Sequence, residues 1–417
     1  MSILYFIIFL FVSYHFRRNF EKTLICYAPF KLILHSGIYL VDSFIAVNLD
    51  LAISLVALFV YYQFRKFYLN VKIPKYLLFC CLVLCIGKFI YGSYFRFVPN
   101  EFFYEPVTSI AYGFMLFKVV QRDDQIVLLI KYFVWVSLIL LADAVIDVFL
   151  GINPIIEIEK SQAGSRFWVS TNTIMRAGMA RTTSFMGHSI AMGTIATFLW
   201  GLLVLIYTKC NKYVYDNKIF LFFIAVLPIC MLLANSRTTI LMALCFLLLF
   251  VNRNTLFGFQ GVFVLLVLLC VYFAASDYLD WIYNSIFNEN SVDVQGSSSD
   301  LRESQWEVAF YYFMKSPILG QGIDFDVLRY EEERNVMGME SLWFQLFMRQ
   351  GLVGVISYCV FLLGGLVCFW KTNKAFCTFF VAWVVSITFS SQVSVSTFLY
   401  VVAILLSYKI KILNMKI

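Results

Sequence analysis

The 417-residue chain is 61% hydrophobic and 14% charged, with a mean hydropathy of +0.82 and a formal net charge of +7. Soluble domains carry about 25% charged residues, so this composition excludes an ordinary water-soluble protein. The apolar residues fall in long runs rather than in alternating segments of about ten, which excludes a transmembrane β-barrel. The positive charge lies beside the ends of those runs, where it reports topology and calls for no nucleic-acid partner.

The first run, from about Ser2 to Phe16, has no basic residue before it and no small-residue cleavage site after it, so it reads as a retained helix. Further runs predict helices over 24–41, 44–62, 76–95, 104–120, 125–150, 185–208, 218–234, 238–252, 256–276, 342–370, 375–391 and 393–408. The run 24–41 contains Lys31, His35 and Asp42 and reads as interfacial or re-entrant. The expected fold is an all-α polytopic membrane protein with about 12 (11–13) transmembrane helices, making one integral membrane domain over 1–417. Embedded charges, Lys88, Lys118, Asp143 and Asp147, keep a transport reading open beside the others.

Basic residues set the orientation. Arg65, Lys66, Lys72 and Lys75 share one connection, Lys209, Lys212 and Lys218 another, Lys371 and Lys374 a third, and Lys409, Lys411 and Lys416 end the chain. These segments are expected in the cytoplasm. Counting helices between them places 151–184 and 277–339 outside, as a first and a large external loop. The large loop holds twelve acidic against four basic residues and includes the flexible tract Gln295–Ser299, with short interfacial helices expected. The eleven cysteines lie in or beside apolar runs, and the only histidines are His15, His35 and His188, so neither a disulfide framework nor a metal site is expected.

The first loop has a net charge of +2 and ends in Arg176 and Arg181 above a helix mouth, against the usual bias. Guanidinium groups grip phosphate oxygens in a bidentate fashion at any relevant pH. The alternative is that these arginines meet lipid headgroups or the acidic loop, and residue type alone does not separate the two. Arg237 follows a short turn in which Asn235 or Ser236 caps the next helix; a cation in a first helical turn opposes the dipole and points to a counter-anion. In the large loop, Trp306, Phe310 and Phe313 have the spacing of an interfacial helix, which Gly320 and Gly322 would end. Glu340 opens the next spanning helix, where it serves either the helix dipole or, as a general base, proton abstraction. His188 is a second possible base, though a lone histidine entering an apolar helix is more often structural.

Arg176 through Gly187, an arginine followed by glycine just before a spanning helix, resembles the external-loop motif of the bacterial O-antigen polymerases (the Wzy type). The Ser236-Arg237 turn is similar to another of their features. Arg302-x-x-x-Trp306, Pro317-Ile-Leu-Gly-Gln-Gly322 and Glu340-Ser-x-x-x-Gln followed by Gly351-x-x-Gly354 resemble the shared C-terminal region of O-antigen polymerases and ligases. The resemblance covers roughly 165–370. It implies a membrane-embedded glycosyltransferase of GT-C type, metal-independent and without a cofactor, in the bacterial inner membrane with its site facing the periplasm. The substrates implied are undecaprenyl-diphosphate-linked oligosaccharides, joined into O-antigen or capsule during lipopolysaccharide or other polysaccharide biosynthesis. Membrane lipid and a chain-length regulator protein are the further partners. On this resemblance Arg176, Arg181, Arg237 and Arg302 hold the pyrophosphate, and Glu340, with Arg176 and Arg302, is catalytic. Family ligases usually carry histidine at the position of Glu340, which favours polymerase, and the second arginine-to-glycine spacing of some polymerases is not met, since the eleventh residue after Arg302 is Phe313. A ligase acting on lipid A core or protein is the near alternative, and a flippase of lipid-linked oligosaccharide the distant one.

Overall fold

The computed structural model describes residues 3–33, 39–41, 47–68, 71–94, 103–151, 175–176, 179–180, 182, 189–234, 236–247, 298–322, 341–389 and 394–414. The helix expected over 256–276 and most of both external loops lie outside the described residues. The described helices are α1 (Ile3–Arg18), α2 (Phe20–Phe30), α3 (Leu49–Phe64), α4 (Lys75–Tyr94), α5 (Tyr112–Val119), α6 (Asp123–Leu150), α7 (Ser189–Lys209), α8 (Asn217–Leu233), α9 (Arg237–Leu247), α10 (Ser298–Lys315), α11 (Leu342–Thr372), α12 (Cys377–Phe389) and α13 (Ser394–Asn414). Among the described residues three helices are long and apolar enough to cross a membrane, Asp123–Phe149, Ser189–Lys209 and Leu342–Thr372, and shorter apolar helices pack beside them.

Two short antiparallel pairs, β1 (Tyr39–Val41) with β2 (Val47–Asn48) and β3 (Met175–Arg176) with β4 (Met179–Ala180), interrupt the helices. The first corrects the expected helix over 24–41. Pro29 occupies the last turn of α2, the chain tightens into a 3-10 turn at Lys31–Ile33, and Tyr39–Val41 is strand. Helix α3 accordingly starts at Leu49, not near 44, where the Asn48 side chain accepts the amides of Asp50 and Leu51.

Lys31 is buried, and the reason is local. Its ammonium lies 2.8 Å from Asp50 and 3.0 Å from the Ser54 hydroxyl, while Tyr27 donates to the same carboxylate at 2.8 Å. The Tyr112 ring lies 4.6 Å from the ammonium and the Phe398 ring 5.3 Å. A buried charge needs this company, because desolvation is repaid only by close pairing with further hydrogen bonds. A second polar knot joins Lys88 of α4 to Glu105 at 3.0 Å; Tyr358 of α11 donates to both oxygens of Glu105 and Thr397 of α13 to one. Just past Glu105, Pro106–Ala111 winds as a π-helix before α5.

Helix α7 is buried along most of its length and is flanked by α8 and α9. Lipid gives little hydrophobic drive between helices, so small residues permit the close approach. The Thr239 side chain of α9 fills the space that a Cβ on Gly193 would need, and the Phe246 ring does the same at Gly201.

One end of the bundle collects the basic residues. Tyr68 and Gln125 both donate to Glu21, at 3.0 and 3.1 Å, and Tyr213 donates to Asp123 at 3.0 Å, with Lys212 ion-paired to that carboxylate at 2.6 Å. Lys371 lies over the Tyr76 ring, and Lys411 donates to the Lys371 carbonyl at 2.6 Å. Burial, with the neighbouring carboxylate, pushes the phenols of Tyr68 and Tyr213 well up.

Candidate functional site

The opposite end carries the motif-bearing segments, and the C-terminus of α12 is where they meet. Helix α9 begins at Arg237, with the Ser236 carbonyl accepting from Ile240 at 3.2 Å, so the expected start of this helix holds. The next residue, Thr238, donates to the Phe389 carbonyl at 3.3 Å. Arg302, one turn into α10, lies with its guanidinium carbon 4.7 Å from the Phe389 ring centre. Trp343, in the first turn of α11, donates from its indole to the Thr388 hydroxyl at 3.1 Å. From the first loop, the Thr182 amide donates to the Leu233 carbonyl at 3.1 Å, beside the α8–α9 turn, and its hydroxyl contacts the Met192 sulfur at 3.0 Å. Three segments, around Thr238, Arg302 and Trp343, therefore converge on Thr388 and Phe389, and a fourth reaches the adjoining turn.

Several of the expected site residues are described only in part or not at all. Arg176 has a described backbone, paired with Met179 in the β3–β4 ladder, and Arg237 a described backbone in α9. Arg181, Gly187, His188 and Glu340 lie outside the described residues. Thr182 follows Arg181 in the chain, and Ser341 follows Glu340. Ser341 is the N-cap position and Leu342 the first helical residue of α11, where the expected run 342–370 begins.

Trp306 lies at the centre of an aromatic group: its ring centroid is 5.7 Å from Phe344, 5.9 Å from Phe347 and 6.1 Å from Phe310, and Phe313 reaches Phe347 at 5.3 Å. Offset and edge-on ring pairs of this kind bind α10 to the first half of α11. The expected helix through Trp306, Phe310 and Phe313 is thus present, with Trp306 44% and Phe310 48% exposed on its outer side.

Helix α10 ends at Lys315, before Pro317, and Gly320 and Gly322, with φ 70° and 90°, turn the chain beyond it; their role is larger than a turn. Helix α11 is broken at Gly351, which has φ 57° and ψ −151°. Such a break frees two amides and two carbonyls, which bilayer hydrocarbon cannot satisfy. The loop after α10 repairs all four. Leu352 and Val353 donate to the carbonyls of Pro317 and Ile318 at 2.8 and 3.1 Å, while Gln321 and Gly322 donate to the carbonyls of Met348 and Arg349 at 2.6 and 3.1 Å. The backbones touch so closely that a Cβ on Gly320 would meet the Arg349 carbonyl carbon at 2.4 Å, and one on Gly351 would meet the Gly320 nitrogen at 2.7 Å. The Pro317-x-x-Gly-x-Gly and Gln-Gly351 patterns are two halves of one backbone clasp.

Sequence reading did not single out Phe389, Thr388 or Arg349. A phenylalanine ending an apolar helix gives no signal in a chain with 45 of its kind. Arg349 had one, a cation inside an otherwise apolar run.

These features define a multi-helix membrane protein whose motif-bearing segments gather at the end of the bundle remote from Lys212, Lys371 and Lys411. Residues 219–359 match the family described as O-Antigen ligase, which is consistent with the O-antigen polymerase and ligase family and suggests a glycosyltransferase-like enzyme. The matched segment runs from α8 through the clasp and contains Arg237, Arg302 and Glu340. No curated protein matches the chain.

Proposed function

We propose that the protein polymerises undecaprenyl-diphosphate-linked oligosaccharide repeat units into a surface polysaccharide, O-antigen or capsule, at the periplasmic face of the bacterial inner membrane. The observation that carries this reading is the convergence on Thr388–Phe389 of the segments bearing Arg237, Arg302 and the approach to Glu340, at the end opposite the one that the positive-inside bias assigns to the cytoplasm.

In this mechanism the acceptor hydroxyl oxygen attacks the anomeric carbon of the donor sugar while Glu340 takes its proton. The bond from that carbon to the diphosphate oxygen breaks, and its electron pair leaves with the diphosphate. Arg176, Arg181, Arg237 and Arg302 bind that group and offset the charge that grows on it, which is where fixed guanidinium groups lower a barrier most. One displacement inverts the anomeric centre. His188, Gly187, Gly320 and Gly322 shape the surroundings.

Ligase activity is the second reading, favoured by the description of the matched family. A gel of surface glycans from a deletion strain separates the readings. Single repeat units on the lipid core support a polymerase, a bare core supports a ligase, and intracellular accumulation of lipid-linked units points to a flippase. A normal ladder of chain lengths from the deletion strain would overturn all three.

A further inference from the structure

Arg349 plays no part in the four-arginine group, and its setting in the bundle asks for an anion. On α11 it follows Leu342 by seven residues and Leu346 by three, so the three side chains share one helix face. Leu342 and Leu346 are 4% and 1% exposed and belong to the main core, so that face looks into the bundle. The Arg349 Nε is buried and has no hydrogen-bond partner among the described residues, and no carboxylate is paired with the guanidinium there. The Oε1 of the next residue, Gln350, is likewise buried without a partner.

Arg349 as a whole is half-buried, and a guanidinium partly withdrawn into a membrane bundle is costly unless it meets a counter-charge; such groups mark ligand paths. Nor is Arg349 free to drift. The amide of Gly322 holds its carbonyl at 3.1 Å, Gly320 abuts the same carbonyl, and the helix breaks two residues later at Gly351. Broken helices held by a neighbouring loop are where membrane proteins build binding sites, because the backbone there is fixed. The clasp therefore fixes the backbone that carries one half-buried cation.

We infer that Arg349 binds a phosphate group of a lipid-linked diphosphate, as a fifth arginine contact, supplied by α11, with the Gln350 carbonyl oxygen accepting from a sugar hydroxyl beside it. This rests on the reading of the substrate given above. It adds a contact that a guanidinium fork makes and a neutral side chain of similar length does not.

The test is binding of undecaprenyl diphosphate to the purified full-length protein in detergent, followed by tryptophan fluorescence, with Arg349→Met and Arg349→Gln beside the wild type. Loss of one charged contact is expected to weaken binding by about 10–100-fold in both variants. Their ligand-free melting temperatures should be no lower than that of the wild type, since a buried unpaired donor is removed; a merely structural arginine would lower them. Wild-type affinity in either neutral variant overturns the inference while leaving the proposed function in place. Absence of binding by the wild-type protein overturns both.

Discussion

Replacing Gly351 by alanine tests the clasp at its tightest point. The residue holds φ 57° and ψ −151°, a region open essentially to glycine alone, so alanine costs about 1–3 kcal/mol in backbone strain. Its methyl would also meet the Gly320 nitrogen and the Ile318 carbonyl at 2.7 Å, and both are backbone atoms that no rotamer change can move aside. If the loop is pushed away, four hydrogen bonds open at about 1 kcal/mol each. The expected loss is then about 5–7 kcal/mol, comparable with the whole stability of many domains. Gly151→Ala is the matched control: φ is 63° there, but nothing lies within 4 Å of the added methyl, so only about 1 kcal/mol is at stake. Thermal unfolding of both variants in detergent, followed by tryptophan fluorescence, should place Gly351→Ala far below the control. Equal melting temperatures would refute the clasp as a stabilising unit.

Lys31→Met strands the buried Asp50 carboxylate and should cost about 3–5 kcal/mol, whereas Lys31→Met with Asp50→Leu should recover most of that; a double variant as unstable as the single one contradicts the pairing. Arg302→Ala, and to a lesser degree Arg302→Lys, should leave the protein in the membrane yet abolish long glycan chains while single repeat units still reach the lipid core, which a glycan gel reads directly; normal chain lengths would remove Arg302 from the site. Burial pushes the Cys210 thiol up to about 11. At pH 8 only about one such thiol in a thousand is ionised, so maleimide should label it slowly in the folded protein and quickly after unfolding, and labelling at the rate of a free thiol would contradict its burial. The sign for stability follows: this contribution is complete below the ordinary thiol range and is lost as pH rises through about 11.

Helix positions were legible because long apolar runs have few alternatives in a bilayer, and most described boundaries fall within a few residues of expectation. The exception, 24–41, shows the limit. Hydropathy weighs residues one at a time, while Lys31 is held by Asp50, Tyr27 and Ser54, partners that only folding brings near. At the candidate site the turn before Arg237 and the break after α10 were readable from capping chemistry and glycine placement. The gathering at Phe389 was not, since it depends on how α9, α10, α11 and α12 pack. Gly320 and Gly351 read as turn and helix residues separately; their mutual fit is a three-dimensional fact that neither stretch encodes alone.

The clasp also has a consequence for how this enzyme type can diversify. Gly322 and Ser341, the residues on either side of 323–340, both belong to segments anchored on α11, one through the Arg349 carbonyl and the other as its cap. The chain between two fixed posts can change length at small cost, because doubling a loop adds only about 0.6 kcal/mol of closure entropy. Insertions there can therefore be accommodated without disturbing the posts themselves.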